Sequence, residues 1–285
     1  MNITFSRLNA ELFVPDGAPA ETALSRTTHL CIGAHQDDLE IMAAHGILEC
    51  FGRDEAFFTG VVVTDGAGSS RSGIYAGSSD AELAEVRRRE QRKAAVVGEY
   101  SAQVQLGFSS AQAKAKQGVE HDAVVGDLEQ LLRLARPRIV YTHNPADKHD
   151  THVAVMLRTT EALRRLAPDA RPERVVGCEV WRDLDWLSDG DKVVMPLDER
   201  QGLQAALLGV FDSQISGGKR YDLATLGRRR AHATYSESHH GDRHSALAYG
   251  MDLTPLLTSH DPKSLVLELI RRFSLEVAEK LERLG

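Results

Sequence analysis

The 285-residue sequence lacks an apolar run long enough to cross a membrane, and it lacks an excess of basic charge. Its formal net charge is −7, whereas proteins that bind nucleic acids broadly present a basic face. The N-terminus also lacks the basic stretch and apolar run of a signal peptide. The sequence therefore predicts neither a membrane span nor a nucleic-acid partner.

Cysteine is scarce, and no Cys-x-x-Cys pair occurs. Cys31, Cys50 and Cys178 are far apart, which argues against both a disulfide framework and a cysteine-based zinc site. We expect all three to be reduced core residues of a cytoplasmic protein. A hydrophobic content of 42% is ample for a buried core.

Short apolar segments alternate with segments of helical periodicity between residues 28 and 167. Four strand–helix units in succession indicate parallel strands joined by right-handed crossovers. After Pro172 we expect two strands, a polar loop at 212–252 and a terminal helix from Ser264 to Leu284. The prediction is one α/β domain over residues 1–285, with a core at 28–167 and a C-terminal extension at 172–285. The first 28 residues are expected to wrap its edge.

Side chains that can bind metals follow the first strand. The apolar segment Leu30–Gly33 is followed by His35, Asp37 and Asp38, and an apolar helical spacing then predicts a helix from Leu39 to Phe51. Ligands bind at the carboxyl ends of strands in open α/β sheets, so these side chains are candidates for a binding site. The alternative is that the two aspartates only cap the following helix.

A second cluster follows a later strand. The apolar segment Pro137–Thr142 leads into ten residues, 143–152, that contain three histidines and two aspartates. A solvated loop explains the aspartates but not the concentration of histidines after a strand. His149 and His152 lie about one helical turn apart, so both can face one cavity.

If His35, Asp38 and His152 meet at one metal ion, a coordination position stays open, as in catalytic zinc sites. Zinc lowers the pKa of a bound water to about 7. Asp37 would then take the water's proton as a general base. His149 would stabilise an oxyanion or protonate a leaving amine. These residues predict metal-assisted hydrolysis of an amide or ester.

Both clusters resemble motifs of the PIG-L/LmbE-like deacetylase family. His35-Gln36-Asp37-Asp38 is similar to its His-Pro-Asp-Asp, and His149-Asp150-Thr151-His152 to its His-Pro-Asp-His. Over roughly residues 28–216, further family motifs are matched by Thr64-Asp65-Gly66, by Arg87-Arg88-Arg89-Glu90 with Ala94 and Gly98, and by Asp212-Ser213-Gln214.

The resemblance implies a Rossmann-like fold and a zinc-dependent N-deacetylase for N-acetylglucosamine-type sugars, with another divalent metal such as Fe²⁺ as an alternative. Its expected partner is a small, sugar-like N-acylated substrate. The roles it implies are metal ligands at His35, Asp38 and His152, a general base at Asp37, an acid or electrostatic partner at His149, and a substrate contact at Arg87.

The sequence departs from the family pattern at three places. Gln36 replaces a proline, which a turn tolerates. Asp150-Thr151 replaces Pro-Asp, so the carboxylate that orients His149 is expected to come from Asp147 or Asp150. The segment after the third strand, Gly107–Ser110, lacks an aspartate that family members often use for substrate, which weakens the sugar assignment.

Three other functions are compatible with parts of this pattern. One is the same metal chemistry on a non-sugar N-acyl substrate. Another is a non-catalytic Rossmann-type binding module, but the first turn, Gly33–Asp38, does not supply G-x-G-x-x-G. The third is a non-haem iron oxygenase with a two-histidine, one-carboxylate site, in which Asp37 would have no evident role.

The sequence does not decide the role of two features of the C-terminal part. His239, His240 and His244 form either a second metal site or part of a loop near the pocket mouth. The terminal helix is amphipathic and long enough to pack on the core or to pair with a second subunit, so a homo-oligomer is possible.

Overall fold

The computed structural model describes residues 3–258 and 261–285, and these residues form one eight-stranded sheet with the order β1-β4-β3-β2-β5-β6-β8-β7. The strands are β1 (Glu11–Phe13), β2 (His29–Gly33), β3 (Phe58–Thr64), β4 (Ala102–Phe108), β5 (Ile139–His143), β6 (Arg174–Cys178), β7 (Lys192–Pro196) and β8 (Leu247–Asp252).

Helices cover both faces of this sheet. They are α1 (Ala20–Ser25), α2 (Asp38–Met42), α3 (Ala44–Cys50), α4 (Asp80–Val97), α5 (Ser110–Ala113), α6 (Val119–Ala135), α7 (Asp150–Arg165), α8 (Gln201–Gly209), α9 (Asp212–Ile215), α10 (Tyr221–Tyr235) and α11 (Pro262–Leu284). No helix in the described ranges is both long and apolar enough to span a membrane.

The five central strands are parallel, which confirms the predicted α/β fold class. The strands outside this group, β1, β8 and β7, pair antiparallel with their neighbours. Successive side chains of a strand point to opposite faces. Accordingly, Ile32 and Val61 belong to one apolar cluster, whereas Cys31 and Val62 belong to the cluster on the other face. The central strands therefore place apolar residues on both faces of the sheet, because helices bury both sides.

The chain reverses its direction of travel across the sheet between β2 and β5. It adds β3 and β4 on one side of β2, and then β5 and β6 on the other. Such a switch point leaves a crevice at the carboxyl ends of the two strands, where ligands bind in open α/β sheets. Both clusters of ligand-type residues follow these two strands.

The leader contains α1 and the edge strand β1 (its first two residues lie outside the described ranges). Two local predictions were wrong. The helix expected from Leu39 to Phe51 is divided at Ala43 into α2 and α3. The expected polar loop at 212–252 contains α9, α10 and β8. The face of α10 that packs inward buries Thr225, Arg229 and His232, so an apolar periodicity did not reveal the helix.

Candidate active site

The turn after β2 brings Asp37 and Asp38 to the start of α2. Asp37 has a φ of 99°, a left-handed conformation that is uncommon for a residue other than glycine. The backbone N–H of His35 donates to Asp38 Oδ2 over 2.7 Å, which closes the turn. Gln36, at the position of the family proline, is buried and donates to the Thr64 carbonyl over 3.2 Å. Local hydrogen bonds therefore hold the three candidate side chains in a fixed turn.

The donor atoms of His35, Asp38 and His152 form a triangle at the switch point. His35 Nδ1 lies 3.1 Å from His152 Nε2 and 3.3 Å from Asp38 Oδ2, and His152 Nε2 lies 3.5 Å from the same oxygen. Ligands of a tetrahedral zinc ion, with bonds of about 2.0–2.1 Å, are about 3.3 Å apart. The three side chains thus have the spacing of a zinc site with one position left open.

Two further histidines lie close enough to take part in alternative donor sets. Ligand atoms of His35, His149 and His152 lie within 4.8 Å of one another, and so do those of Asp38, His143 and His152. In the second set, however, His143 Nε2 already accepts the backbone N–H of Ala34 over 2.9 Å. That nitrogen therefore has no lone pair free for a metal.

Burial and neighbouring charges prepare His35 and Asp38 to bind a cation. Burial lowers the pKa of His35 to about 4, so its imidazole is neutral at pH 7 and keeps a lone pair. Burial alone would disfavour the Asp38 carboxylate, but the imidazoles of His152 and His143 hold its pKa well below the ordinary value. A neutral imidazole and an ionised carboxylate are the forms that coordinate metals.

Asp147 contacts the imidazole of His152 on the side away from the triangle. Its Oδ1 lies 3.4 Å from His152 Nδ1 and accepts the backbone N–H of His149, while Oδ2 accepts the N–H of Trp181. A carboxylate in this place fixes the ring and the tautomer of a metal-binding histidine. Asp147 is therefore placed to orient His152, whereas the sequence predicts that Asp147 or Asp150 orients His149.

Asp37 lies beside the triangle and contacts Arg87 instead of a histidine. The Arg87 Nη2 atom is 3.5 Å from Asp37 Oδ1, and the backbone N–H of Asp37 donates to Gln91 Oε1 over 3.3 Å. Burial raises the pKa of Asp37 to about 8, although the Arg87 guanidinium opposes this effect. A carboxyl group with a pKa near neutrality can both accept and return a proton.

Arg87 itself is 2% exposed and uses several of its donors within the protein. It donates to the carbonyl of Gln36 and to the Ser69 hydroxyl. These bonds tie α4 to the turn after β2 and to the loop after β3.

His149 caps the start of α7 and stacks on His152, with ring centroids 4.6 Å apart. Its Nδ1 accepts the backbone N–H of Thr151 over 3.3 Å. Burial lowers the pKa of His149, which favours the neutral ring. With Nδ1 acting as an acceptor, the proton of the neutral ring belongs on Nε2, and this atom is then a hydrogen-bond donor.

A cavity of about 410 Å³ contains these groups. Sequence reasoning missed part of its wall, because Trp181, Lys219 and Tyr221 come from segments without a recognisable motif. Its lining residues come from separate parts of the chain and are His35, Asp37, Asp38, Ile41, Gly66, Gly68, Ser69, Ser70, Arg87, Ser110, His149, His152, Val180, Trp181, Gln214, Lys219 and Tyr221.

Glu90 links two of the motifs identified in the sequence. Its carboxylate accepts the backbone N–H of Ser213 over 2.8 Å and the Ser213 hydroxyl over 2.6 Å. Both residues are buried, and the neighbouring Gln214 lines the cavity. The helix that carries Arg87 therefore also holds the segment that carries Gln214.

The late histidines are not among the lining residues of the cavity. His244 Nδ1 lies 2.6 Å from Asp198 Oδ2, at the surface. Neither of the two metal-capable clusters among the described residues includes His239, His240 or His244.

Comparison of the fold with solved structures shows several similar proteins. The conserved protein TT1542 from Thermus thermophilus matches with a TM-score of 0.60 and 19% identity, over 82% of this chain and 97% of that one. N,N'-diacetylchitobiose deacetylase from Pyrococcus horikoshii matches with a TM-score of 0.60 and 17% identity, over 82% and 86%. GalB, the 4-carboxy-2-hydroxymuconate hydratase of Pseudomonas putida KT2440, matches with a TM-score of 0.60 and 17% identity, over 82% and 99%.

These identities are low, so the likeness concerns the fold. No curated protein matches the sequence. A family profile does match: residues 30–163 fit PIG-L, described as GlcNAc-PI de-N-acetylase. This range includes both metal motifs and the helix of Arg87, which confirms the resemblance seen in the sequence. Residues 30–163 of the chain thus match the family described as GlcNAc-PI de-N-acetylase.

Proposed function

We propose that the protein is a metal-dependent hydrolase that removes an N-acetyl or other N-acyl group from an amino sugar or sugar conjugate. The observation that carries this proposal is the triangle of donor atoms of His35, Asp38 and His152, with edges of 3.1–3.5 Å, beside the buried Asp37. The family match supports amide hydrolysis, since its description names a de-N-acetylase.

The proposed cofactor is one Zn²⁺ ion, held by His35, Asp38 and His152. Two imidazole nitrogens and one carboxylate oxygen suit zinc, and the same set also suits Fe²⁺. The ion would supply a water of lowered pKa and would polarise the amide carbonyl.

Asp37 is the proposed general base. It is buried next to the triangle, and its pKa of about 8 lets it exchange a proton near neutral pH. Arg87 holds this carboxylate through its contact at 3.5 Å and lines the cavity, where we propose that it also contacts the substrate.

His149 is proposed to stabilise the oxyanion of the tetrahedral intermediate. Thr151 N–H occupies its Nδ1 atom, so the Nε2–H is the group that can donate to a developing negative charge. This arrangement favours the oxyanion role over protonation of the leaving amine, the other role considered for His149.

The proposed substrate is a small N-acylated molecule, and no partner of another kind is needed for this chemistry. Ser110 lines the cavity in the segment where family members often have a substrate-binding aspartate. A non-sugar N-acyl amine therefore remains the second candidate. Three free, buried cysteines support action in the cytoplasm.

The deciding experiment is a screen of N-acetylated sugars and N-acylated non-sugar amines with zinc-loaded and iron-loaded protein. We expect release of acetate and free amine from at least one sugar, and no release with His35→Ala. Release from the non-sugar amines alone would shift the proposal to the second candidate. GalB shows that a hydratase also has this fold. Absence of amide hydrolysis by metal-loaded protein would therefore contradict the proposed reaction.

A further inference from the structure

A second cavity of about 250 Å³ adjoins the active-site cavity, and we call it the annex. The two cavities share Ile41, Val180, Trp181, Lys219 and Tyr221 as lining residues, so they are contiguous. A substrate whose acyl group lies at the metal triangle can therefore extend into the annex. None of the reaction steps proposed above uses this space.

The annex is cationic, although the whole chain carries a net charge of −7. Lys219, Arg220 and Arg228 line it, and no carboxylate is among its lining residues. Arg220 is exposed and forms two hydrogen bonds with Asp222, which compensates its charge. Among the described residues, neither Lys219 nor Arg228 lies within ion-pair distance of a carboxylate.

The two uncompensated cations are held by neutral groups. Lys219 Nζ lies 4.4 Å from the centre of the Trp181 ring, and Arg228 Nη1 donates to the Val180 carbonyl over 2.7 Å. Both contacts position a positive charge without neutralising it. An anion that enters the annex would therefore meet two fixed donors.

The remaining wall is largely apolar. Ile41 and Val180 are 8% and 9% exposed, and they face the side of α10 that carries Tyr221, Ala224 and Arg228. Residues at this spacing share one face of a helix. The annex thus combines an apolar wall with two donors of positive charge, and its size suits a single ring.

We propose that the annex binds the part of the substrate beyond the amino sugar, and that this part carries an anionic group on a small apolar or aromatic body. The inference rests on the proposed function for the position of the acyl group. A carboxylate and a phosphonate or phosphate present the same chemistry to Lys219 and Arg228, namely oxygens that accept charge-assisted hydrogen bonds.

The test uses three N-acetylglucosamine glycosides of matched shape: 4-carboxyphenyl, 4-phosphonophenyl and the neutral 4-carbamoylphenyl. Binding is followed through Trp181 fluorescence in an Asp37→Asn, Trp186→Phe background, which prevents turnover and leaves Trp181 as the single tryptophan of the two in the chain. The Nε1 atom of Trp186 is buried without a hydrogen-bond partner, so phenylalanine is a mild replacement.

We expect the carboxyphenyl or phosphonophenyl glycoside to bind about tenfold more tightly than the carbamoyl analogue. Lys219→Met should remove most of this preference, and Arg228→Met should reduce it. Lys93→Met, a change of an exposed lysine on α4, should leave it intact. The ratio of the two anions identifies the anionic group that the annex prefers.

Equal binding of charged and neutral glycosides would overturn the proposal, and so would a preference that survives both Lys219→Met and Arg228→Met. Hydrolysis of the three glycosides by protein with Asp37 intact is measured separately. If no N-acyl compound of the wider screen is hydrolysed either, the proposed reaction fails, while the binding data still decide whether the annex selects anions.

Discussion

Among single residues, Asp37 offers the sharpest separation of metal binding from chemistry. Asp37 lies beside the donor triangle, but its ion pair and its hydrogen bond are formed with Arg87 and Gln91. Neither of these two side chains is a zinc ligand. Asp37→Asn should therefore retain the metal and lose at least about 10²-fold in kcat, because the amide cannot accept a proton. Metal content by elemental analysis and the rate of acetate release test this directly.

The matched control for Asp37→Asn is Asp38→Asn. Both changes keep the size of the side chain, and the two residues are adjacent in one turn. Only the Asp38 change is expected to remove the metal, since its carboxylate oxygen belongs to the triangle. Loss of metal in Asp37→Asn with retention in Asp38→Asn would show that the two roles are exchanged.

The ligand set is tested by four alanine variants. His35→Ala and His152→Ala should abolish tight binding of about one zinc per chain. His149→Ala should keep the metal and lose activity, because His149 is proposed to donate to the oxyanion. His143→Ala should also keep it, since Nε2 of that ring is used by the Ala34 N–H. Loss of zinc in His149→Ala instead would favour the donor set of His35, His149 and His152.

Asp147 is expected to act on the metal through His152. Its carboxylate lies 3.4 Å from His152 Nδ1 and also accepts backbone N–H groups of His149 and Trp181. Asp147→Asn should weaken zinc affinity about 10–100-fold, as loss of such a partner does in other metal sites. A chelator competition assay measures the affinity. An unchanged affinity would mean that Asp147 only stabilises the turn before α7.

How far the sequence predicts these residues depends on how local their geometry is. His35 and Asp38 lie in one short turn after a strand, and His152 lies in the first turn of a helix that follows another strand. The periodicity of the apolar residues and the position of these side chains after the strands were therefore sufficient to predict that the three side chains meet. The partner of Asp147 was not predictable, because it depends on the path of the loop from His143 to Asp150. Trp181, Lys219 and Tyr221 reach the cavity only through the packing of distant segments.

At the scale of elements, the link between α4 and α9 keeps the cavity wall in place. Glu90 accepts two hydrogen bonds from Ser213, and Gln214 follows in the wall. In Glu90→Gln, one carboxylate oxygen becomes an NH₂ group that faces a donor, so stability should fall by about 1–3 kcal/mol. Chemical denaturation measures this, and KM for the substrate should rise because Gln214 loses its support.

The matched control is Glu85→Gln on the same helix, where the exposed side chain lies 3.9 Å from Arg88 and from Arg89. Its effect should stay below about 0.5 kcal/mol. If Glu90→Gln is as mild as this control, the bonds to Ser213 contribute little to the position of α9.

The helices and strands whose apolar residues recur with a regular period were predicted from the sequence, and those without such a pattern were not. The central strands and α4, α6 and α7 follow from their sequences to within a few residues. By contrast, α10 packs inward through Arg229 and His232, whose polar atoms bond to the carbonyl of Glu40 and to the carboxylate of Glu179. Such a helix is stabilised by tertiary hydrogen bonds, and the periodicity of apolar residues in the sequence does not reveal these bonds.

For the whole molecule, the homo-oligomer stays a prediction, and α11 is the element that tests it. Leu265 and Leu269 anchor the helix in the core, whereas residues 271–285 are all exposed. One face of α11 carries Ile270, Val277 and Leu281, which are 44%, 40% and 67% exposed. A contiguous exposed apolar patch is typical of an interaction site.

We therefore expect the full chain to sediment as an oligomer and the Val277→Glu, Leu281→Glu double variant to sediment as a monomer. Glu276→Gln with Glu279→Gln, on the opposite face of the same helix, should leave the assembly unchanged.

A chain that ends at Ile270 should also be monomeric. Its melting temperature should stay within a few degrees of that of the monomeric double variant, because the removed residues bury little apolar surface and contribute only the exposed ion pairs of Arg272. All variants should retain one metal per chain, since α11 contributes no residue to the cavity. A full chain that sediments as a monomer at every concentration would remove the homo-oligomer prediction and leave the proposed active site untouched.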